Sequence, residues 1–114
     1  MEKFKIVLYE TTSGRKIVSD FIESFEDLIK TKIHNNLDLL EEYGLKLLSS
    51  PLVKKIHQDP SIYELRIKSK LEIRILFYFY KPNYFIILHG FVKKTKKTSR
   101  KDIKLAGKRF KEFT

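Results

Sequence analysis

The chain has no cysteine and no tryptophan, one methionine, three prolines and four glycines in 114 residues. Without cysteine there is no disulfide framework, no thiolate metal site and no cysteine nucleophile. So few prolines and glycines leave no linker, collagen-like repeat or low-complexity stretch. No apolar run is long enough to cross a bilayer as a helix. Residues 1–10 (MEKFKIVLYE) lack the apolar core and small-residue cleavage site of a secretory signal. His34, His57 and His89 fit no metal-ligand spacing, and there is no HExxH, no glycine-rich phosphate loop and no nucleophile elbow. Nor is there a carboxylate cluster of the kind a two-metal nuclease needs. The sequence therefore implies no metal and no cofactor. It reads as a cytoplasmic protein with no membrane segment.

What is present suits a single globular domain over residues 1–114: 42% hydrophobic and 33% charged residues in 13.6 kDa. Such a domain buries about 65% of the surface its unfolded chain exposes. The formal net charge of +10 is unevenly spread. Residues 1–60 hold 9 Lys/Arg against 10 Asp/Glu, whereas residues 61–114 hold 15 against 4. A surface tuned only for solubility mixes its signs. Segregation on this scale points to an anionic partner such as nucleic acid, an acidic protein or an anionic membrane.

Residues 3–9 read as a strand, with Phe4, Ile6 and Leu8 on one face. Ile17, Val18, Phe21, Ile22 and Phe25 recur at helical spacing. Ser24-x-x-Asp27 resembles a capping box that opens a second helix, whose stripe is Leu28 or Ile29, then Ile33, Leu37 and Leu40, with Gly44 as its stop. Residues 45–60 are irregular apart from a short extended piece at 53–56. From residue 61 the period changes to two, giving strands over 63–68, 71–80 and 85–92. After the basic connector 93–101, Ser99-x-x-Asp102 caps a last helix with Ile103, Ala106, Phe110 and Phe113 on one face. The expected architecture is α+β, ordered β-α-α-β-β-β-α, with helices on one face of a small, mainly antiparallel sheet.

The first hairpin fixes its own register. With Ser69-Lys70-Leu71 as loop, Lys68 faces Glu72, Ile67 faces Ile73, Leu65 faces Ile75 and Tyr63 faces Phe77. Each pair matches in kind, as burial of one sheet face requires. The same register sets Arg66 opposite Arg74. Directly opposed like charges destabilise a sheet, so either Glu64 or Glu72 neutralises the pair or both arginines grip an anion. Guanidinium suits phosphate through its bidentate geometry and permanent charge. If the turn at Pro82-Asn83 spans two or four residues, His89, Phe91 and Lys93 join the face of Arg66, Arg74 and Tyr78, while Ile86 and Leu88 turn to the core. Cations with exposed rings suit single-stranded RNA.

Leu65-Arg66, Ile73-Arg74-Ile75-Leu76-Phe77 and Leu88-His89-Gly90-Phe91-Val92-Lys93-Lys94-Thr95-x-Lys97-Thr98 together resemble the phage-derived, HigB-like branch of the RelE/ParE toxin superfamily. The likeness extends upstream through Gly14, Leu37-x-x-Leu40, Gly44 and Pro51, and downstream to Ile103-x-x-Ala106-x-x-Arg109. Ser99 replaces the usual proline before the last helix, and that helix has Phe110 and Phe113 but no tyrosine. The resemblance implies a RelE-like fold and the toxin of a type II toxin–antitoxin pair. It also implies a small HigA-like helix-turn-helix antitoxin as partner and mRNA as target, often in the ribosomal A site, with translation inhibited. Arg66 and Arg74 match the basic residues of the family's central strands, and Lys93 and Lys94 match its basic pair.

The expected activity is therefore an endoribonuclease, an mRNA interferase in which the 2′-OH attacks the adjacent phosphodiester. Arg74 and Arg66 would stabilise the charge that develops. Lys94 would serve with them, and His89 would be acid or base because imidazole titrates near neutrality. Lys93, Lys96 and Lys97 of the connector, with Lys68, would hold RNA phosphates. Tyr78 and Phe91 would stack on bases, and Lys55 and His57 form a further candidate pair. Two other readings stay open: a ParE-like gyrase inhibitor without nuclease activity, and a non-catalytic RNA-binding module.

Overall fold

The two apolar stripes of the first half fold as helices. In the computed structural model, which describes residues 4–80 and 82–113, α1 spans Ile17–Glu23 and α2 spans Asp27–Tyr43. Val18 and Ile22 of α1 and Ile29, Ile33, Leu37 and Leu40 of α2 are buried, whereas Leu28 is 81% exposed. That settles the phase of the α2 stripe. The expected Ser24 cap is not formed. The Ser24 hydroxyl donates to the Phe21 carbonyl, so it finishes α1, and Glu26 precedes α2 without a side-chain cap. Gly44 does end α2. It takes φ +57°, a conformation glycine adopts without steric cost, and the Phe4 ring fills the space a Cβ would need. A 3-10 helix over Gly44–Ser49 follows.

Five strands form one sheet: β1 (Lys5–Leu8), β2 (Val53–His57), β3 (Ile62–Lys68), β4 (Glu72–Tyr80) and β5 (Tyr84–Val92), with α3 over Arg100–Phe113. Their spatial order is β1-β5-β4-β3-β2, antiparallel throughout except for β1 beside β5. The α+β, mainly antiparallel expectation holds, and the fold is compatible with a RelE-like one. The extended piece at 53–56 is a full strand on the sheet edge, one strand more than expected. Lys3 of the expected first strand and Lys81, with which the expected turn Lys81-Pro82-Asn83-Tyr84 begins, lie outside the described residues. No helix among the described residues is long and apolar enough to cross a membrane.

The helices do not share one face. α1 and α2 cover Leu65, Ile67, Ile73, Ile75, Phe77, Phe85 and Ile87. α3 covers the opposite face, where Ile62, Leu76, Ile86, Leu88 and Ala106 form a second core with Tyr78, Phe91 and Phe110 at its margin. The central strands are therefore coated on both sides, which is why β4 and β5 carry near-continuous apolar runs instead of strict alternation.

The first hairpin pairs as the sequence predicts, with Arg66 opposite Arg74. The second departs from expectation. Tyr80 pairs with Tyr84, so its turn is three residues, and Tyr78 faces Ile86. A bulge then intervenes: Phe77 pairs with Ile87 but Leu76 pairs with His89, leaving Leu88 as the extra residue. Beyond it Arg74 faces Phe91. His89 and Phe91 thus reach the Arg74 face through a bulge and not through turn length. Ile86 and Leu88 are buried on that same face, beneath α3.

Candidate functional site

Period-two alternation on β3 places Glu64 and Arg66 on one face, and the hairpin register brings Arg74 beside them. Glu64 is almost fully buried, and its Oε1 accepts a hydrogen bond from Arg66 Nε at 3.1 Å. The same oxygen lies 3.6 Å from Arg74 Nε, an ion-pair distance too long for a hydrogen bond. Oε2 of Glu64 accepts from the Thr98 hydroxyl, which ties the connector to the sheet. Arg74 is 4% exposed; its Nη1 donates to the Ile73 carbonyl at 3.1 Å and lies 3.8 Å from Glu72 Oε2, while its buried Nε has no hydrogen-bond partner. The two arginines therefore share one carboxylate, the neutralisation the sequence left open. They are not a free pair of guanidinium groups.

The arginines also open on different clefts. Arg74 borders an open cleft of about 510 Å³ with Glu72, Lys93, Lys94, Thr95 and Lys96. Arg66 and Lys68 border another, with Lys32, Asn36, Pro51 and Leu52, where β3 runs past the end of β2. A third cleft adjoins the first and is walled by Lys54, Lys55, Lys93, Lys96, Lys97 and Thr98, among others. Of the residues singled out from sequence, the fold brings Arg74, Lys93, Lys94 and Lys96 together, with Lys55 and Lys97 next door. It sets Arg66 and Lys68 apart. The lysine wall has a local cause. The backbone N–H of Lys93 donates to the Glu72 carbonyl at 2.7 Å, which carries the ladder one residue past β5, and the Thr98 contact holds the far end of the connector.

Three expected site residues serve α3 instead. His89 Nε2 lies 2.7 Å from Asp102 Oδ1, and its Nδ1 lies 3.5 Å from Arg109 Nη1. Both ring nitrogens are thus engaged by α3, in the arrangement of a neutral imidazole that donates from Nε2 and accepts at Nδ1. Burial pushes the His89 imidazole below its usual range, the hydrogen bond to Asp102 opposes that shift, and Arg109 adds to it. His89 therefore fastens a helix and is not placed to exchange protons with RNA. Tyr78 packs on Phe110 with ring centroids 4.2 Å apart, so its ring is not offered to a base. Phe91 stacks on His89 at 5.4 Å and 22° and stands half-buried. His57 is exposed, its Nδ1 3.0 Å from the Pro60 carbonyl, in a separate cleft against α3.

Sequence reasoning did find the cap of α3. Ser99 Oγ donates to Asp102 Oδ2 at 2.6 Å and accepts from the Asp102 N–H at 3.2 Å. It did not find that Asp102 reaches His89, or that Thr98 reaches Glu64. Each link spans segments whose contact depends on where α3 docks. Arg109 adds a hydrogen bond to the Leu88 carbonyl at 2.9 Å, and the Tyr9 hydroxyl donates to Glu112 at 2.5 Å. Among the described residues no three His, Cys, Asp or Glu side chains converge as metal ligands would.

Chemically, the Arg74 cleft brings together a guanidinium at its wall, three lysines and one partly exposed carboxylate, Glu72. Such a set binds a phosphodiester and places a proton acceptor beside it. No curated protein matches this sequence. The family model described as "Phage derived protein Gp49-like (DUF891)" matches residues 20–111, from α1 through nearly all of α3. The chain belongs to this phage-derived Gp49-like family.

Proposed function

We propose that the protein is the toxin of a type II toxin–antitoxin pair and an endoribonuclease that cuts mRNA at the Arg74 cleft. One observation carries the reading: a buried guanidinium, whose Nε makes no hydrogen bond, stands at the wall of an open cleft rimmed by Lys93, Lys94 and Lys96. Membership of a phage-derived family and the excess positive charge of residues 61–114 support it.

In this mechanism the RNA 2′-oxygen attacks the adjacent phosphorus and the bond from phosphorus to the 5′ oxygen breaks. The products are a 2′,3′-cyclic phosphate and a free 5′-hydroxyl. Glu72 takes the 2′ proton, since it is the carboxylate exposed in the cleft. Lys94 gives a proton to the leaving oxygen. Arg74 stabilises the dianionic phosphorane, and Lys93 and Lys96 hold the flanking phosphates. Arg66 acts through Glu64, by fixing the carboxylate against which Arg74 is set. A small helix-turn-helix antitoxin, encoded nearby, would hold the toxin inactive.

Primer extension on mRNA from cells that express the protein tests this reading. New 5′ ends within coding regions, absent with a Lys94→Ala variant, are the expected result. Intact mRNA accompanied by DNA-damage signalling would instead identify a gyrase poison. Intact mRNA without such signalling would leave a non-catalytic RNA-binding protein.

A further inference from the structure

The Arg74 cleft does not stand alone. It shares Lys93 and Lys96 with the cleft bordered by Lys54 and Lys55, and that cleft shares Ile103 with the one lined by His57 and α3. The three form one continuous path. It starts at the connector, crosses the β2 edge of the sheet and continues down one side of α3. Ten lysine and arginine side chains line it against three carboxylates, Glu72, Glu64 and Asp59. Glu64 is already committed to Arg66 and Thr98.

On α3 the path is bordered by Lys104, Lys108 and Lys111. Lys104 and Lys108 are one turn apart, about 6 Å along the axis. Both are exposed, and neither has an ion-pair partner among the described residues. Like charges at this spacing destabilise an isolated helix, and here they project beside a groove that already carries positive charge. Among the described residues no tyrosine or phenylalanine lines any of the three clefts. The path therefore offers charge without stacking platforms, which suits a sugar–phosphate backbone irrespective of base sequence.

We propose that this path is a binding track for single-stranded RNA, in which the strand held at Arg74 continues over the β2 edge and along Lys104 and Lys108 of α3. The proposal rests on the RNA-cutting reading of the Arg74 cleft. In-line attack by a 2′-OH requires a strand free to leave helical stacking, so RNA emerging from that cleft is unpaired. The track gives the protein an affinity that grows with RNA length and a contact area well outside the reacting phosphate.

Binding to uniformly 2′-O-methylated RNA, which lacks the attacking hydroxyl, separates the track from the chemistry. Fluorescence anisotropy with a 5-mer and a 15-mer is measured across a salt series, for the unaltered chain and for Lys104→Gln/Lys108→Gln. The expected result is at least tenfold tighter binding of the 15-mer by the unaltered chain. The double variant loses that advantage, keeps its 5-mer affinity and shows a salt slope for the 15-mer lower by about 1.4, at about 0.7 per lost phosphate contact on single strands. Equal affinity for the two lengths, or an unchanged slope in the variant, overturns the track and leaves the Arg74 reading standing. Tighter binding of a 15-base-pair duplex than of the single strand overturns the assignment of its ligand. If neither oligomer binds, the RNA reading of the Arg74 cleft falls together with the track.

Discussion

Arg66 and Arg74 stand directly opposite each other across the β3–β4 ladder, and one oxygen of Glu64 reaches both guanidinium groups, at 3.1 and 3.6 Å. Glu72 adds a second carboxylate, 3.8 Å from Arg74 Nη1, on the exposed side of the cluster. Glu64 also takes the Thr98 hydroxyl, so the carboxylate that sets the arginines also anchors the connector carrying the lysines. Electrostatics and loop placement are thus joined at a single buried side chain.

Glu64→Gln keeps the shape of that side chain and removes its charge. Breaking a buried ion pair from one side costs about 3–5 kcal/mol, and the variant should lose stability on that scale in urea unfolding at low ionic strength. Sulfate should restore part of the loss, because an anion can take the place of the missing charge between the arginines. A variant within 1 kcal/mol of the parent would show that Glu64 does not hold the cluster together.

Arg74→Lys keeps one positive charge but loses the planar fork. Removal of a preorganised donor to a developing oxyanion typically costs about 10²–10³ in rate. On the proposed reading of the Arg74 cleft, RNA cleavage by the purified variant should fall by about that factor and growth inhibition should disappear, with the far-UV circular dichroism unchanged. Full cleavage by Arg74→Lys would remove this side chain from the mechanism.

His89 makes stability depend on pH. Its folded pKa is depressed, chiefly by burial, below the unfolded value of 6.5. The unfolded chain therefore binds the proton more readily. The stabilisation is present in full above pH 6.5, and it declines as pH falls below that value through the folded pKa. The difference in unfolding free energy between the parent and His89→Asn should shrink or change sign between pH 7.5 and pH 5. A difference that stays constant over that range would mean that the imidazole is not buried as a neutral group.

Gly90 packs where the Phe21 ring leaves no room. A Cβ there would sit 2.5 Å from Phe21 Cε2 and 3.1 Å from Ile75 Cδ1. Gly90→Ala should cost about 1–3 kcal/mol, the usual range for overpacking a core. Adding Phe21→Leu should recover part of it, making the double variant less unstable than the sum of the singles. Strict additivity would place the strain elsewhere.

Much of this architecture can be read directly from the chain. The Ser69–Leu71 loop and matched pairs define the first hairpin because one face must stay apolar, and the stripes of α1 and α2 announce themselves by spacing. The site was less legible. Arg74 alternates with apolar neighbours and so reads as exposed, yet α3 and the connector close over that face and bury it. The apolar Leu76, Ile86 and Leu88 on that same face were the signal that something covers it. The bulge at Leu88 leaves no local mark, because Phe85–Leu88 are buried whichever face they meet. Ser24 followed by Asp27 had the letters of a capping box, but the serine bonded backwards to Phe21.

The parallel pairing of β1 with β5 sets an order of events during synthesis. Lys5 lies beside Tyr84, and Tyr9 donates its backbone N–H to the Ile87 carbonyl. The strand translated earliest must therefore wait for one translated near the end, and such sequence-distant contacts form slowly. Until β5 emerges, the Glu72 carbonyl has no Lys93 amide to accept from, and the helix that will grasp His89 has yet to follow. A ribosome part-way through this message therefore carries a chain whose first strand is unpaired and whose Arg74 cleft lacks its lysine wall, and that wall is set only after the last strand has slotted into place.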